Sequence, residues 1–218
     1  MTKSIHKIIT DFRSEYNSQG INIKEIAGNP IDQLEKWIGD AIKNKVNLPN
    51  AMHLSTIGTD GRPSGRIMLL RGFDERGFVF FTNHDSRKGN DLKSSNYASM
   101  TFFWSELFRQ VRIEGDVHQV PDWESDKYFL SRPRESQISA MASDQSKILE
   151  SRGSLEKKVS EIEQKFKGEP IPRPANWGGF YLSPARIEFW QGRSHRLHDR
   201  IVYILNKNNT WNIQRLYP

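Results

Sequence analysis

The chain has 218 residues, with 32 lysines and arginines against 26 aspartates and glutamates, so its formal net charge is +6. This excess favours anionic partners but is too mild to indicate nucleic acid, because phosphorylated small molecules fit equally well. The chain contains no cysteine, which excludes disulfides, thiolate metal sites and a cysteine nucleophile.

The sequence also argues against a membrane or secreted protein. No apolar run approaches the roughly 20 residues that a membrane span needs. The opening "MTKSIHKIITDFRSEY" lacks the small-residue cleavage site of a secretory signal. We therefore expect a cytoplasmic protein without a membrane or nucleic-acid partner.

The pattern of the chain changes near residue 29. Residues 1–28 are polar with scattered apolar positions, which predicts a mobile N-terminal arm or a short helix. The stretch "NPIDQLEKWIGDAIKNK" then predicts an amphipathic helix, with Asn29 at the N-cap and Pro30 at the first helical position. Its apolar residues form one stripe: Ile31, Leu34, Trp37, Ile38, Ala41 and Ile42. We expect residues 29–218 to form a single domain with helical insertions.

Beyond this helix, short segments rich in β-branched and aromatic residues predict strands. They are "AMHLSTI", "SGRIMLLRGF", "GFVFFTN", "YASMTFFW", "FRQVRIEGDVHQV" and "GGFYLSPARIEFWQG". Between the last two, "PDWESDKYFLSR" and "SLEKKVSEIEQKFKG" predict helices, and "IVYILNKNNTWNIQRLYP" predicts a closing hairpin. The fold class is therefore mainly β with helices (α+β), a β-barrel decorated with helices.

Several common catalytic signatures are absent from the sequence. There is no G-x-G-x-x-G, no G-x-x-x-x-G-K-[ST], no H-E-x-x-H and no G-x-S-x-G. The histidine spacings predict no metal site, and no pair of carboxylates stands out for acid–base work. Any phosphate must then be held by side chains and loop amides.

Two basic clusters near the first strands could bind a phosphate. Arg66 and Arg71 bracket the apolar part of "RIMLLR". Taken alone, this cluster favours two strand ends exposed to solvent rather than a phosphate site. Arg87 and Lys88 follow Ser86 at the start of a short helix, where the helix dipole disfavours cations and favours an anion. A solvated basic turn explains this second cluster equally well.

A third cluster lies in "YFLSRPRESQ". Tyr128 and Arg132 are four residues apart on the last turns of a helix that Pro133 ends, and Ser136 is expected in the turn just beyond. A phenol, a guanidinium and a hydroxyl make a suitable donor set for a phosphate. Ordinary capping of the helix end is the safer interpretation of this cluster alone.

The fourth cluster is "HRLHDR", residues 195–200. If this stretch continues the preceding strand, Arg196, His198 and Arg200 share one face beside Trp190. Aligning these charges without an anion would cost several kcal/mol, so the pattern favours a bound anion.

The motifs together resemble one known family. "RIMLL", "FFTNHDSRKG", "FRQVRIEG", "YFLSRPRESQI", "NWGGF", "IEFWQG" and "RLHDR", in this order, resemble the pyridoxamine 5′-phosphate oxidase family from about Phe12 to Pro218. The resemblance implies a homodimer of FMN-binding split β-barrels with two active sites built from both chains. It also implies oxidation of pyridoxamine or pyridoxine 5′-phosphate to pyridoxal 5′-phosphate, with hydride passing to FMN and O2 restoring the flavin.

The resemblance also implies roles for individual residues. Arg196 and His198 would be catalytic and, with Leu197, would contact the substrate, while Arg13 and Tyr16 of the arm would close over it. The substrate phosphate would be held by Arg71, Tyr128, Arg132 and Ser136. The FMN-binding residues would be Arg66, Ile67, Met68, Leu69, Leu70, Arg71, Phe81, Thr82, Arg87, Lys88, Gln110, Gln145, Ser146, Trp190 and Arg200.

The sequence departs from the family pattern at three of these motif positions. Arg71 stands where lysine is expected, which replaces a point charge with a bulkier fork. Ser139 and Met141 stand where glycine and tryptophan are usual. None of these changes removes a group that the implied mechanism requires.

Two other functions compete with oxidation. One is a non-catalytic protein that binds or carries FMN or pyridoxal phosphate on the same barrel, against which the intact "RLHDR" and the complete phosphate set argue. The other is a basic nucleic-acid module, which would bind polyanions with a steep salt dependence and would not be yellow.

Overall fold

A computed structural model of the chain describes Ile5, Ile9, Glu15, Tyr16, Ser18 and residues 20–218. Half of the predicted arm, including Arg13, lies outside these described residues. The helices are α1 (Pro30–Lys43), α2 (Arg87–Ser94), α3 (Asp122–Ser131), α4 (Arg134–Ala142) and α5 (Arg152–Lys165), with 3-10 turns at Ser105–Leu107 and Ser194–Arg196. The strands are β1 (Ala51–Ile57), β2 (Pro63–Leu69), β3 (Gly72–Asp74), β4 (Gly77–Asn83), β5 (Tyr97–Trp104), β6 (Arg109–Gln119), β7 (Trp177–Gln191), β8 (Asp199–Leu205) and β9 (Trp211–Leu216).

These elements confirm the predicted mainly β fold with helices. Each of the six segments expected to form strands before the closing hairpin does so, and that hairpin pairs β8 with β9 from Arg200 opposite Leu216 to Leu205 opposite Trp211. One segment differs in detail, because "SGRIMLLRGF" contains both β2 and β3. The break falls where the Leu70 N–H donates to the Asn50 carbonyl at 2.8 Å and the Arg71 N–H to the Val79 carbonyl at 2.9 Å.

The described chain divides into two compact units. The central unit comprises Asn50–Phe102 and Arg112–Arg186, and the terminal unit comprises Met1–Pro49, Phe103–Val111 and Ile187–Pro218. Strands β5, β6 and β7 run from one unit into the other. The predicted single domain, with its boundary near residue 29, stays a prediction.

The order of the strands explains how the central unit closes on itself. The order is β2-β1-β5-β6-β7-β4-β3, so the strands at its two ends are neighbours in the sequence. Only Leu70 and Arg71 separate β2 from β3. A connection this short brings the two edges of the sheet together, as the closure of a barrel requires.

The helices of the central unit cover an apolar cluster. Phe129, Ile138, Ile171 and Trp177 form its buried centre. Val159, Ile162 and Phe166, from the segment "SLEKKVSEIEQKFKG", pack against this centre. The helix predicted for that segment is confirmed as α5.

The terminal unit is built on helix α1. As predicted, the Asn29 side chain caps the helix by accepting the Ile31 N–H at 2.9 Å, and Pro30 is its first residue. Trp37 is buried from this helix, with its ring 5.1 Å from that of Phe189 at an edge-to-face angle of 84°. The helix thus packs its apolar face against the strands of the same unit. Ile42, which was predicted on the same stripe, is instead 60% exposed.

The prediction that "HRLHDR" continues a strand is wrong. Residues Ser194–Arg196 form a 3-10 turn, and β8 begins only at Asp199. His195 and Arg196 have φ angles of +57° and +60°, which lie in the left-handed region and cannot belong to a strand. Arg196, His198 and Arg200 therefore do not form a row on one strand face.

The prediction for Ser136 is also wrong. This residue was expected in a turn beyond a helix, but it lies in the first turn of α4, with its N–H donating to the Pro133 carbonyl at 2.9 Å. The reason is that Pro133 ends α3 and at the same time caps the next helix, which begins at Arg134.

Candidate functional site

Helix α2 begins with a buried cation in the central unit. Its N-cap is Ser86, whose hydroxyl accepts the Gly89 N–H, and a Cβ at Gly89 would collide with the His84 carbonyl. Lys88 is only 8% exposed, whereas its neighbour Arg87 is exposed. The solvated basic turn is therefore excluded for Lys88.

The ammonium group of Lys88 is satisfied by neutral acceptors. It donates to Gln145 Oε1 at 2.9 Å and to Thr82 Oγ1 at 3.0 Å, and the Thr82 hydroxyl itself bonds to Gln145 at 3.1 Å. Burial, reinforced by the positive charge of Arg66, lowers the pKa of Lys88 to about 8. The described residues give this cation no carboxylate partner, so the site favours an added anion.

Arg66, on β2, belongs to the same group of charges. Burial lowers the pKa of its guanidinium, Asp91 opposes this effect, and the positive charge of Arg87 adds to it. Three cations, Arg66, Arg87 and Lys88, thus lie close enough to act on one another. Such a group is stabilised when an anion binds between its members.

A cavity of about 360 Å³ lies in the same unit. It is lined by predicted flavin residues and by predicted substrate residues, together with residues that had no predicted role. The lining comprises Met68, Arg71, Phe81, Thr82, Asn83, Tyr128, Arg132, Ser139, Ala140, Ser143, Gln145 and Trp177. The fold therefore brings together groups from β2, β4, α3, α4 and β7 around one space.

Aromatic rings form one wall of this cavity. The rings of Phe81 and Tyr128 stack with centroids 3.9 Å apart, and the Trp177 ring lies 5.6 Å from Phe81 at only 11°. The guanidinium of Arg132 lies over Trp177, 4.6 Å from its centroid. This contact fixes the guanidinium on an apolar surface, where cation–π attraction is strongest.

Arg132 also carries an unused hydrogen-bond donor. Its Nη1 atom is buried and has no partner among the residues that the structure describes. Burial lowers the pKa of Arg132, Tyr128 opposes this effect, and the positive charge of Arg71 adds to it. A partly buried guanidinium with one unsatisfied buried nitrogen, beside a second arginine, is the arrangement expected where a dianion binds.

In the terminal unit, His198 lies among aromatic rings. Its ring is 5.3 Å from Tyr16 and 4.7 Å from Trp190, and Tyr16 in turn lies 5.7 Å from Trp190. The Nδ1 atom of His198 accepts the Arg193 N–H at 3.0 Å. Burial, followed by the charge of Arg196, lowers the pKa of His198. The histidine is therefore neutral at pH 7, with its hydrogen on Nε2.

Arg196 and Leu197 are exposed next to this group. The consecutive left-handed residues His195 and Arg196 hold the backbone in a region that costs non-glycine residues of the order of 1–3 kcal/mol each. In the described residues no carboxylate is paired with Arg196. Strain of this kind is found at functional sites, where it presents side chains that a regular strand would not.

Arg200 is already paired within the terminal unit. It binds both carboxylate oxygens of Glu188, at 3.0 and 3.1 Å, and Glu188 is only 1% exposed. Asp199 in the same way accepts from Arg193 and Arg215. The argument that all charges of "HRLHDR" need an external anion is therefore wrong for Arg200, which has an internal one.

The other predicted site residues differ in exposure. Ile67 is 67% exposed and Leu70 only 5%. Ser146 is exposed with a left-handed φ of +73°, and Gln110 is partly buried on β6. Ser136 does not line the cavity, and Arg13 lies outside the described residues.

Known proteins share the sequence over nearly its whole length. Residues 38–166 match a family model described as pyridoxamine 5′-phosphate oxidase, and residues 177–218 match the C-terminal dimerisation region of pyridoxine 5′-phosphate oxidase. The pyridoxine/pyridoxamine 5′-phosphate oxidase of Nostoc punctiforme is 48% identical over 97% of this chain and 99% of that protein. The protein of the same name from Cupriavidus pinatubonensis is 49% identical over 96% of this chain and 99% of its own.

The chain belongs to the pyridoxine/pyridoxamine 5′-phosphate oxidase family.

A solved structure of related sequence has the same fold. PhzG from Burkholderia lata 383, crystallised with tetrahydrophenazine-1-carboxylic acid, aligns with a TM-score of 0.87 at 31% identity, covering 94% of this chain and 100% of PhzG. The predicted α+β split barrel is thus confirmed, with a dimerisation region at residues 177–218.

Enzymes of this family use FMN, and the described residues fit its phosphate. Lys88 is a buried cation with no carboxylate partner there, and the N-terminus of α2 lies beside Arg66. Within the described residues no helix is long and apolar enough to cross a membrane. In that same part of the chain, no group of three or more acidic or histidine side chains could hold a metal ion.

Sequence reasoning missed several residues of this family member. Trp177 was quoted in "NWGGF" without a role, yet it lies under Arg132 and lines the cavity. Glu188 and Asp91 were not singled out, although each binds a predicted site arginine. The alternation of "RIEFWQG" places Glu188 on the face opposite Ile187 and Phe189, so it did not predict the burial of all three residues. No local signal connects Trp177 with Arg132.

Proposed function

We propose that this protein oxidises pyridoxamine 5′-phosphate and pyridoxine 5′-phosphate to pyridoxal 5′-phosphate. FMN supplies the hydride acceptor, and O2 takes up the electrons as hydrogen peroxide. The alcohol substrate loses two hydrogens, whereas the amine also consumes one water and releases ammonia. The protein binds and orients the two aromatic phosphates.

The observation that carries this proposal is the unpaired Arg132 on its aromatic wall. Its buried Nη1 has no partner among the described residues, and Arg71 lines the same cavity. We assign the substrate phosphate to these two arginines and to the Tyr128 hydroxyl. Arginine at position 71 presents a planar fork to the phosphate, where lysine would present a single ammonium. Ser136 stays a predicted fourth donor.

The flavin phosphate is assigned to the cations around helix α2. Positive charge comes from Lys88, Arg66 and Arg87. The backbone N–H groups of the first turn lie at the same N-terminal end of α2. Phe81 and Met68, which line the cavity, supply apolar surface for a flat ring. We also assign to FMN the remaining polar and aromatic residues that the family resemblance implied, which are Gln110, Gln145, Ser146, Trp190 and Arg200.

Arg196 and His198 are proposed to act on the substrate ring. Arg196 is exposed and has no carboxylate partner in the described residues, so it is free to orient the substrate. His198 presents a neutral imidazole whose orientation is set by the Arg193 N–H and by Tyr16. Holding a ring at hydride-transfer distance is largely a proximity effect, to which orienting groups contribute strongly. Arg13 and Leu197 are assigned to the same contact by their motif.

We propose that the working form is a homodimer in the cytoplasm. The match of residues 177–218 to a dimerisation region supports the dimer. Sedimentation of the purified protein tests the dimer, and cell fractionation tests the location.

The decisive experiment is oxygen-dependent conversion of pyridoxine 5′-phosphate by the yellow, FMN-loaded protein. We expect stoichiometric oxygen uptake and formation of the aldehyde. A protein that binds FMN and pyridoxal phosphate but shows no turnover would instead be a carrier, and a colourless protein that binds polyanions would refute both.

A further inference from the structure

Asp91 lies buried on helix α2, facing strands β1 and β2. It is 6% exposed and accepts two hydrogen bonds on one oxygen, Oδ2. The Thr56 hydroxyl donates at 2.6 Å and the Ser64 hydroxyl at 3.0 Å. No role follows for this carboxylate from the phosphate sites proposed above.

The two hydroxyls join Asp91 to Arg66. Arg66 Nη1 donates to the Thr56 oxygen at 2.7 Å, and Nη2 donates to the Ser64 oxygen at 2.6 Å. Each hydroxyl has a single proton, so a hydroxyl that accepts from Arg66 gives its own proton to Asp91. Both bridges then run in one direction, from Arg66 through the hydroxyls to Asp91 Oδ2, with the two hydroxyl oxygens 3.2 Å apart.

This arrangement fixes the guanidinium more strictly than a direct ion pair would. The closest approach of Arg66 Nη2 to Asp91 Oδ2 is 3.9 Å, so the carboxylate acts mainly through the hydroxyls. Nη1 also donates to the Leu54 carbonyl at 3.2 Å. Both terminal nitrogens of the guanidinium are thus held, and its plane is determined by hydrogen-bond partners on two strands, β1 and β2.

The same carboxylate balances the charge of the site. Arg66, Arg87 and Lys88 carry three positive charges, and Asp91 lies on the helix that bears two of them. One carboxylate and a phosphate dianion together supply the three negative charges that neutralise them. Without Asp91 the flavin-bound site would keep one uncompensated positive charge.

We propose that Asp91 is a positioning residue that, through the hydroxyls of Thr56 and Ser64, holds Arg66 toward the phosphate of FMN. The inference rests on the proposed function, because it requires FMN at the α2 terminus. Helix α2 carries Lys88 as well as Asp91, so the bridges also set the distance between Lys88 and Arg66.

Substitution of Asp91 by asparagine separates positioning from simple charge. Removing a negative charge should strengthen binding of a dianion if only Coulomb attraction matters. Positioning predicts the opposite, because a neutral amide oxygen accepts the two hydroxyl protons more weakly than a carboxylate does, and Arg66 is then held less firmly. We expect FMN to dissociate about tenfold more readily from Asp91→Asn, as for a lost hydrogen bond to a charged group.

Release of FMN is measured as the flavin fluorescence that appears when the FMN-loaded full chain is diluted. Displacement of FMN by riboflavin is the second readout. Riboflavin lacks the phosphate, so loss of positioning should lower the preference for FMN over riboflavin about tenfold and leave riboflavin affinity unchanged. A merely structural role would weaken both flavins equally. The matched control is Asp85→Asn, which removes an exposed carboxylate near the same helix and should not weaken FMN.

Ser64→Ala provides a milder test if Asp91→Asn does not fold, since Ser64 is only partly buried. It should lower the FMN preference in the same direction by a few fold. Unchanged or tighter FMN binding in the folded variants would overturn the role of Asp91. Wild-type protein that does not prefer FMN to riboflavin would instead overturn the proposed function.

Discussion

The buried ammonium group of Lys88 predicts that FMN affinity falls as the pH rises. In the flavin-free protein the pKa of Lys88 is about 8, because burial and Arg66 disfavour its charge. A phosphate dianion bound beside it favours the charge and returns the pKa to at least the ordinary value of 10.5. Between these two values FMN binding must take up a proton, so each unit of pH weakens it about tenfold.

The size of the effect follows from the same two values. The interval from about 8 to 10.5 corresponds to roughly 3 kcal/mol of interaction between Lys88 and the phosphate. At pH 9.5 nearly all of the flavin-free protein has lost the proton, whereas the flavin-bound protein keeps it. We therefore expect the Kd of FMN to be about 30-fold higher at pH 9.5 than at pH 7. The phosphate itself titrates near pH 6 and remains a dianion throughout.

Equilibrium dilution of the FMN-loaded protein, followed by flavin fluorescence between pH 7 and 9.5, measures this dependence. Lys88→Arg is the matched control, because a guanidinium stays charged and its Kd should not change over this window. The flavin-free protein should also gain stability from about pH 8 toward 10.5, since only its unfolded form still binds the proton there. A flat wild-type profile, or the same slope in Lys88→Arg, would refute the reasoning.

Three further substitutions test the proposed site. Arg196→Ala should lower turnover about 100-fold or more while FMN stays bound and Tm is unchanged, because Arg196 is exposed; a loss of flavin would contradict this. Trp177→Leu should raise KM for pyridoxine phosphate about tenfold through the lost cation–π contact with Arg132, and Trp177→Phe should retain most of the affinity; equal KM values for the two would argue against the contact. Glu188→Gln leaves the partly buried Arg200 without its anion and should cost about 2 kcal/mol, a fall in Tm of roughly 4–8 °C by calorimetry; an unchanged Tm would show that Arg200 has no need of Glu188.

The sequence predicted those parts of the fold that depend on local pattern. The stripe of α1 and its cap at Asn29 follow from a period of 3.6 residues and one side-chain hydrogen bond. The strands follow from β-branched and aromatic residues between turn signals. The break between β2 and β3 was missed, because it depends on which strands Leu70 and Arg71 pair with after closure.

The sequence indicated which residues belong to the candidate site better than it indicated how those residues are arranged. Motif order indicated Lys88 and Arg132 as anion ligands, but the sequence alone could not decide between a buried and a solvated Lys88. The partner of Arg132 lies 45 residues further along the chain, at Trp177, and no local spacing reveals such a contact. For His195 and Arg196 the alternation rule failed, because it cannot recognise left-handed residues that lack the glycine signal.

The internal partners of each cation, rather than the number of cations, indicate where phosphates bind. Arg200, Arg173 and Arg76 lie in dense basic or mixed clusters, yet each has a carboxylate within 3.0 Å. Lys88 is buried, and Arg132 is partly buried with its Nη1 atom inaccessible to solvent. The described residues give neither of them a carboxylate. A buried cation without an anion raises the free energy of the flavin-free fold, and a phosphate that binds it removes that cost. Lys88 and Arg132 are therefore the two positions at which binding of an aromatic phosphate lowers the free energy most. Arg132 lines the cavity, and Lys88 adjoins it through its hydrogen bond to Gln145.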